Sequence, residues 1–225
     1  MKTDQESRVP RVAFLTIGQA PRDDIVPVIS AELGGAAEVS EAGALDGLDD
    51  AAVATCAPGE GDFVLVTRAN GREVLVSKRS VTARLQTVIE SLEDGVDVFV
   101  VLCTGTFPHL RSKRPILEPD RMMKAMVEAL WRGGTLGVLL PVEAQREANI
   151  SAWGGRPLAI AIASPYGDPQ ELRRAGVALK AAGATLVAMN CMGYTPAMKA
   201  DLRAVTGAPA LLPATVTAHF IRESL

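Results

Sequence analysis

The sequence predicts an α/β protein of two pseudo-symmetric halves, each a parallel sheet flanked by helices, with a cleft between them. Three observations carry that expectation. Of the 225 residues, 48% are hydrophobic but only 4% are aromatic, so the core must be built from Ala, Val, Leu and Ile. That composition suits strands buried on both faces beneath helices. Apolar strand-sized runs alternate with amphipathic stretches along the whole chain, the pattern of parallel sheets. A weak internal repeat then divides the chain in two.

The elements follow in order. Residues 12–17 (VAFLTI) form a strand that stops at Gly18. Pro21 suits the first turn of a helix running to Leu33, and Pro27 is expected to shorten or kink it. Residues 63–67 and 73–77 flank Asn70-Gly71, the strongest hairpin signal in the chain. Ser80 is expected to cap a helix to about Asp94 that Gly95 ends, and a strand covers 97–102. Asp120 opens a helix to Trp131 after a proline-bounded stretch. Strands at 135–140 and 158–163 precede a helix that Asp168 caps and that reaches Ala182. A strand at 185–190, a helix at 197–205, a short strand at 210–212 and a last helix from about Val216 complete the chain.

Shifting the sequence by 88 residues aligns 72–108 with 160–196 without a gap. Ser80 then falls on Asp168 and Gly95 on Gly183. Cys103-Thr104-Gly105-Thr106-Phe107-Pro108 falls on Cys191-Met192-Gly193-Tyr194-Thr195-Pro196, both of them C-x-G-x-x-P. The expected division is an N-terminal half over 9–118 and a C-terminal half over 119–215, with the helix 216–224 packing back on the first half.

Charge and composition exclude several classes. A net charge of −3 offers no basic field for nucleic acid or an anionic membrane. No apolar run is long enough to span a bilayer. Three cysteines and two histidines leave neither a disulfide scaffold nor a zinc cluster. The polar first ten residues and the odd cysteine count point to a cytoplasmic protein. No P-loop, G-x-G-x-x-G, H-E-x-x-H or G-x-S-x-G is present, so no nucleotide, PLP or metal cofactor is expected.

Cys103 and Cys191 each follow the carboxyl end of a buried strand, the edge where open α/β sheets bind ligands. One thiol on each wall of a shared cleft suits proton exchange at a carbon held between them. The abstracting thiol needs activation, because an ordinary cysteine is mostly protonated at neutral pH. Gly105 and Gly193 would let backbone N–H groups approach a ligand, with Met192 between Cys191 and Gly193. Thr104, Thr106 and Tyr194 would offer hydroxyls to a carboxylate. Around the first turn, Thr16, Gln19 and Arg22 are candidates to hold a carboxylate or phosphate, the alternative being an ordinary turn with a solvated arginine. Arg79 is either a carboxylate binder or a surface charge. His109 would tune Cys103, Glu118 and Glu143 are helix caps or catalytic carboxylates, and Cys56 is incidental. The ligand read from these residues is a small carboxylate, and a homodimer is left open beside a monomer.

The paired cysteines and the two-half layout resemble the aspartate/glutamate racemase superfamily, which includes hydantoin racemases, maleate isomerases and arylmalonate decarboxylases. Leu15-Thr16-Ile17-Gly18, Ser77-Lys78-Arg79, Leu117-Glu118-Pro119, Val138-Leu139-Leu140-Pro141-Val142-Glu143 and Cys191-Met192-Gly193 more narrowly resemble the AroM family. The resemblance implies a cofactor-independent racemase or isomerase in which Cys103 and Cys191 form the acid/base pair and Thr104, Thr106 and Tyr194 line a carboxylate pocket. A one-cysteine decarboxylase and a non-catalytic carboxylate binder on the same fold are the alternatives.

Overall fold

The computed structural model describes residues 8–225. Its first half contains, in order, β1 (Arg11–Thr16), α1 (Val26–Leu33), β2 (Glu38–Gly43), α2 (Asp50–Ala54), β3 (Val64–Ala69), β4 (Arg72–Ser77), α3 (Lys78–Leu92), β5 (Val98–Leu102) and β6 (Ile116–Leu117). The second contains α4 (Pro119–Leu130), β7 (Thr135–Leu140), α5 (Arg146–Ala152), β8 (Leu158–Ile162), α6 (Pro169–Ala181), β9 (Ala184–Met189), α7 (Pro196–Thr206), β10 (Ala210–Leu211) and α8 (Pro213–Ser224). Two four-stranded parallel sheets result, ordered β2-β1-β5-β6 and β10-β9-β7-β8. They have the same topology, with β1, β2, β5 and β6 matching β7, β8, β9 and β10. The antiparallel β3-β4 hairpin has no counterpart in the second half. Asn70 and Gly71 turn it with φ of 49° and 75°, as its sequence predicts.

Side-chain alternation along the central strands assigns each sheet two faces. In the first sheet, Ala13, Leu15, Phe99 and Val101 pack under Val81, Leu85 and Ile89 of α3. Val12, Phe14, Val98 and Val100 point the other way, against Ile29 and Leu33 of α1 and Ala214, Ala218 and Ile221 of α8. In the second sheet, Leu139, Val187 and Met189 pack under Leu172 and Leu179 of α6 and Leu202 of α7. Leu136, Val138, Leu140 and Ala188 meet Met122, Met123 and Val127 of α4, with Trp153 and Val216. The helix after the last strand of each sheet thus covers the other sheet: α4 follows β6 and packs on β7, while α8 follows β10 and packs on β1.

Several local expectations need correction. Pro21 lies outside α1, which starts at Val26 with Pro27 in its first turn; the ring that was expected to kink the helix opens it instead. Ser77, not Ser80, precedes α3, because β4 runs directly into the helix. The helix ends at Leu92 and a 3-10 turn carries Glu93–Gly95 into the next strand. Since Asp168 does cap α6, accepting from the Gln170 N–H, the two helix starts lie 91 residues apart. The register of 88 therefore holds over β5, β9 and the cysteine motifs but slips by three residues ahead of the helices. Four elements went unread in the sequence. β2 is an edge strand with three exposed residues and little apolar signal, while α2, β6 and α5 are short.

Candidate active site in the cleft

Between the two sheets lies a cavity of about 160 Å³, lined from the first half by Ile17, Arg22, Lys78, Cys103, Thr104 and Thr106 and from the second by Gln145, Asn149, Tyr166, Asn190 and Cys191, among others. Cys103 sits one residue and Cys191 two residues past the ends of their strands, β5 and β9, at matching carboxyl ends. Each is buried, with 8% of its surface exposed. The C-x-G spacing brings the Gly105 N–H to the Cys103 sulfur at 3.3 Å. The Gly193 N–H stands in the same relation to Cys191. Burial pushes the Cys103 thiol up to about 12 and the Cys191 thiol up to about 11, in each case against the pull of that glycine N–H. Each sulfur also feels one cation, Lys78 at Cys103 and Arg22 at Cys191, which works in the same direction as the N–H.

Arg22 is the most tightly held side chain of the cleft. It pairs with both carboxylate oxygens of Asp24 at 2.8 Å and donates to the Thr16 hydroxyl at 2.9 Å and the Tyr166 hydroxyl at 2.8 Å. Burial alone would lower its pKa, but the Asp24 hydrogen bonds and neighbouring charges outweigh burial and raise it. Burial would likewise raise Asp24, and Arg22 overcomes it and keeps that carboxyl low. Burial pushes the Tyr166 phenol up. Tyr166 belongs to the second half, so this cluster clamps the two walls together. Its close seat against Gly193 is permitted by the missing side chain there, since a Cβ would stand 2.4 Å from the Tyr166 oxygen.

Lys78 was not singled out in the sequence, although its motif was. The first residue of α3, it donates to the Thr106 hydroxyl at 3.2 Å and lies 5.2 Å from the Phe63 ring and 5.7 Å from the Phe107 ring. Among the described residues it has no carboxylate partner within ion-pair distance. The other lysine of the cleft, Lys124, is paired with Asp120 at 2.8 Å. Lys78 is thus the uncompensated cation of the cleft.

Thr104, Gly105, Thr106, Met192 and Gly193 line the cleft, and so does Arg22. Thr16 does not line it and serves to hold Arg22 and the Gly18 N–H. Gln19 is turned away: its amide donates to the Leu45 and Leu48 carbonyls and accepts from the Asn70 N–H, so it stitches the hairpin to the first half. Arg79 points to solvent with 87% of its side chain exposed and pairs with Asp62. Tyr194 is buried under the C-terminal sheet, its hydroxyl donating to the Ala163 carbonyl at 2.7 Å. His109 and Glu143 lie outside the cleft, Glu118 accepts from the Phe107 N–H, and Cys56 is a core residue of the first half. Among the described residues, no three His, Cys, Asp or Glu side chains are grouped to hold a metal ion, and no helix is long and apolar enough to cross a membrane.

The fold is shared with solved structures of low sequence similarity. Glutamate racemase from Aquifex pyrophilus superposes with a TM-score of 0.60 at 15% identity, over 96% of this chain and 84% of that one. Glutamate racemase from Francisella tularensis subsp. tularensis SCHU S4, solved in complex with D-glutamate, gives 0.62 at 10% identity over 96% and 81%. Arylmalonate decarboxylase gives 0.60 at 15% over 96% and 92%. No curated protein matches the chain by sequence. A family model described as AroM protein matches residues 12–225, so the chain, which shares its fold with these racemases and the decarboxylase, belongs to the AroM family.

Proposed function

We propose that this protein is a cofactor-independent racemase or isomerase in which Cys103 and Cys191 transfer protons at a carbon next to a small ligand's carboxylate. The observation that carries the reading is that two thiols, at matching strand ends of two matching sheets, line one cavity of ligand size. The carboxylate binds Lys78, with the Thr106 hydroxyl as its neighbouring donor. The thiolate of one cysteine takes the α-proton, forming an S–H bond and leaving the C–H electron pair on the α-carbon, delocalised toward the carboxylate. The opposite thiol gives its proton to the other face, and its S–H electrons return to sulfur. The centre is inverted, and solvent exchange restores the first protonation state. A thiolate formed beside Lys78 or Arg22 is a stronger base than an ordinary one because burial raises its pKa, which suits it to a weak carbon acid. The three free thiols fit a reducing compartment, the cytoplasm.

The raised thiol pKa values also favour a second reading. A thiol that stays protonated at neutral pH is a ready proton donor, as a decarboxylase needs: the bond to the departing carboxylate breaks, carbon dioxide leaves, and the thiol protonates the carbanion. Both readings are tested by incubating a panel of 2-substituted carboxylates and malonates in D₂O and following deuterium at the α-carbon by NMR. Exchange without loss of carbon dioxide is expected for the racemase, and Cys103→Ala and Cys191→Ala should each slow it by roughly 10²–10⁴-fold. Exchange fully retained in both variants would overturn the two-thiol assignment, and saturable carboxylate binding with no exchange in the unmodified protein would favour a binding protein.

A further inference from the structure

Two-thiol proton transfer makes no use of Asn190, which directly precedes Cys191 and lines the same cleft. Its side chain is the end of a hydrogen-bonded series whose polarity is fixed from the other end. The Gln145 backbone carbonyl can only accept, and Asn149 Nδ2 donates to it at 2.9 Å. Asn149 Oδ1 must then face Asn190, and accepts from Asn190 Nδ2 at 2.8 Å. Reversing either amide would set two acceptors or two donors against each other. The series is anchored to the first half as well, since Gln145 Nε2 donates to the Val64 carbonyl at 3.0 Å. What remains is Asn190 Oδ1, an acceptor on a side chain only 6% exposed, with no partner among the described residues. An unsatisfied buried acceptor costs about 1–3 kcal/mol. The backbone carbonyl of the same residue accepts from the Thr104 hydroxyl at 3.0 Å, so Asn190 stands where the two cysteine motifs meet.

We propose that Asn190 Oδ1 determines specificity by accepting a hydrogen bond from the ligand, and that this ligand carries an uncharged donor, a hydroxyl or an amide N–H, on or beside its reacting carbon. The inference rests on the carbon-acid reading of this cleft and narrows its substrate class. The donor is uncharged because the carboxylates around the cleft already have partners, Asp24 in Arg22, Asp120 in Lys124 and Glu73 in the Ser164 hydroxyl, while the Lys78 charge answers the ligand's carboxylate. An ammonium group at this position would have only a neutral amide to receive it.

The test is calorimetric binding of matched carboxylates to the full chain: lactate against 2-methoxypropionate, N-acetylalanine against N-acetyl-N-methylalanine, and alanine as the ammonium-bearing probe. The donor-bearing member of at least one pair should bind about tenfold tighter or more, and alanine no tighter than 2-methoxypropionate. Asn190→Leu should bring each pair to within about twofold of equality, with circular dichroism confirming the fold. Asn190→Asp should reverse the preference from lactate toward alanine. Equal affinity within both pairs in the wild type would overturn the proposal, leaving a trapped water as the partner of the oxygen, and so would alanine binding tightest. Because the readout is binding, loss of donor preference with α-exchange intact counts against Asn190 alone. Donor preference with exchange unaffected by either cysteine substitution counts against the two-thiol chemistry alone.

Discussion

At the residue scale, two adjacent cations have opposite fates. Ser77-Lys78-Arg79 stands out in the sequence as a basic pair at a helix start, and the natural choice for a carboxylate is the arginine, whose planar fork binds both oxygens. The choice is decided by where β4 ends. Because the strand runs to Ser77 without a loop, residue 78 faces the cleft and residue 79 faces solvent. Lys78→Met should therefore weaken carboxylate binding by roughly 10–100-fold, the worth of one charge-assisted hydrogen bond. Arg79→Met should leave it within about twofold, since an exposed ion pair contributes little. Titration calorimetry on both variants measures the contrast, and an equal loss in the two would remove Lys78 from its role. The cysteines were legible because chemistry repeats there in C-x-G-x-x-P. Tyr166 and Gln145 were not, because each is held by a contact between halves that no local pattern encodes, and Asn149 was not, because its partner Asn190 is distant in the sequence of the same half.

Elements show the same division between local and tertiary control. The central strands announce themselves as continuous aliphatic runs; β7 spans the residues expected of it and β5 begins one residue later than expected. β2 escapes because its burial pattern runs from exposed to buried along one edge, which gives no period-2 signal. Helix starts are harder still, since a serine near a helix start is a cap only if the backbone before it is extended. Ser80 lies inside the first turn of α3, whereas Asp168 and Thr195 occupy true cap positions and accept from the Gln170 and Met198 N–H groups. Asp168→Ala and Thr195→Ala should each cost about 1 kcal/mol of stability. Ser80→Ala should cost nothing or slightly stabilise through its higher helix propensity. Urea denaturation of the three variants decides the point, and a loss at Ser80 equal to that at Asp168 would contradict the assigned helix start.

For the whole molecule, the buried thiols couple chemistry to folding. An ordinary cysteine titrates near 9.0, while Cys103 is held up to about 12 and Cys191 up to about 11 by burial. Below pH 9 both folded and unfolded chains keep these protons, and the thiols contribute nothing to the pH dependence. Above it the unfolded chain releases them first, so stability falls as pH rises from about 9 toward 11. The slope should approach about 1.4 kcal/mol per pH unit for each thiol. In a Cys103→Ser/Cys191→Ser double variant, unfolding free energies measured between pH 8.5 and 10.5 should show a shallower decline. Equal slopes would mean that the sulfurs are solvated. The two-sheet architecture was readable from alternation and repeat, and the last helix was expected to return to the first half; the side-chain contacts that close the cleft, Arg22 with Tyr166 and Gln145 with Val64, were not readable. The exchange of α4 and α8 has a consequence for how the chain is made. β1 emerges from the ribosome about 200 residues before Ala218 and Ile221, which cover Val12 and Phe14. During synthesis that face of the first sheet is covered by α1 alone, and the cleft wall carrying Cys103 acquires its full support only when α8 arrives.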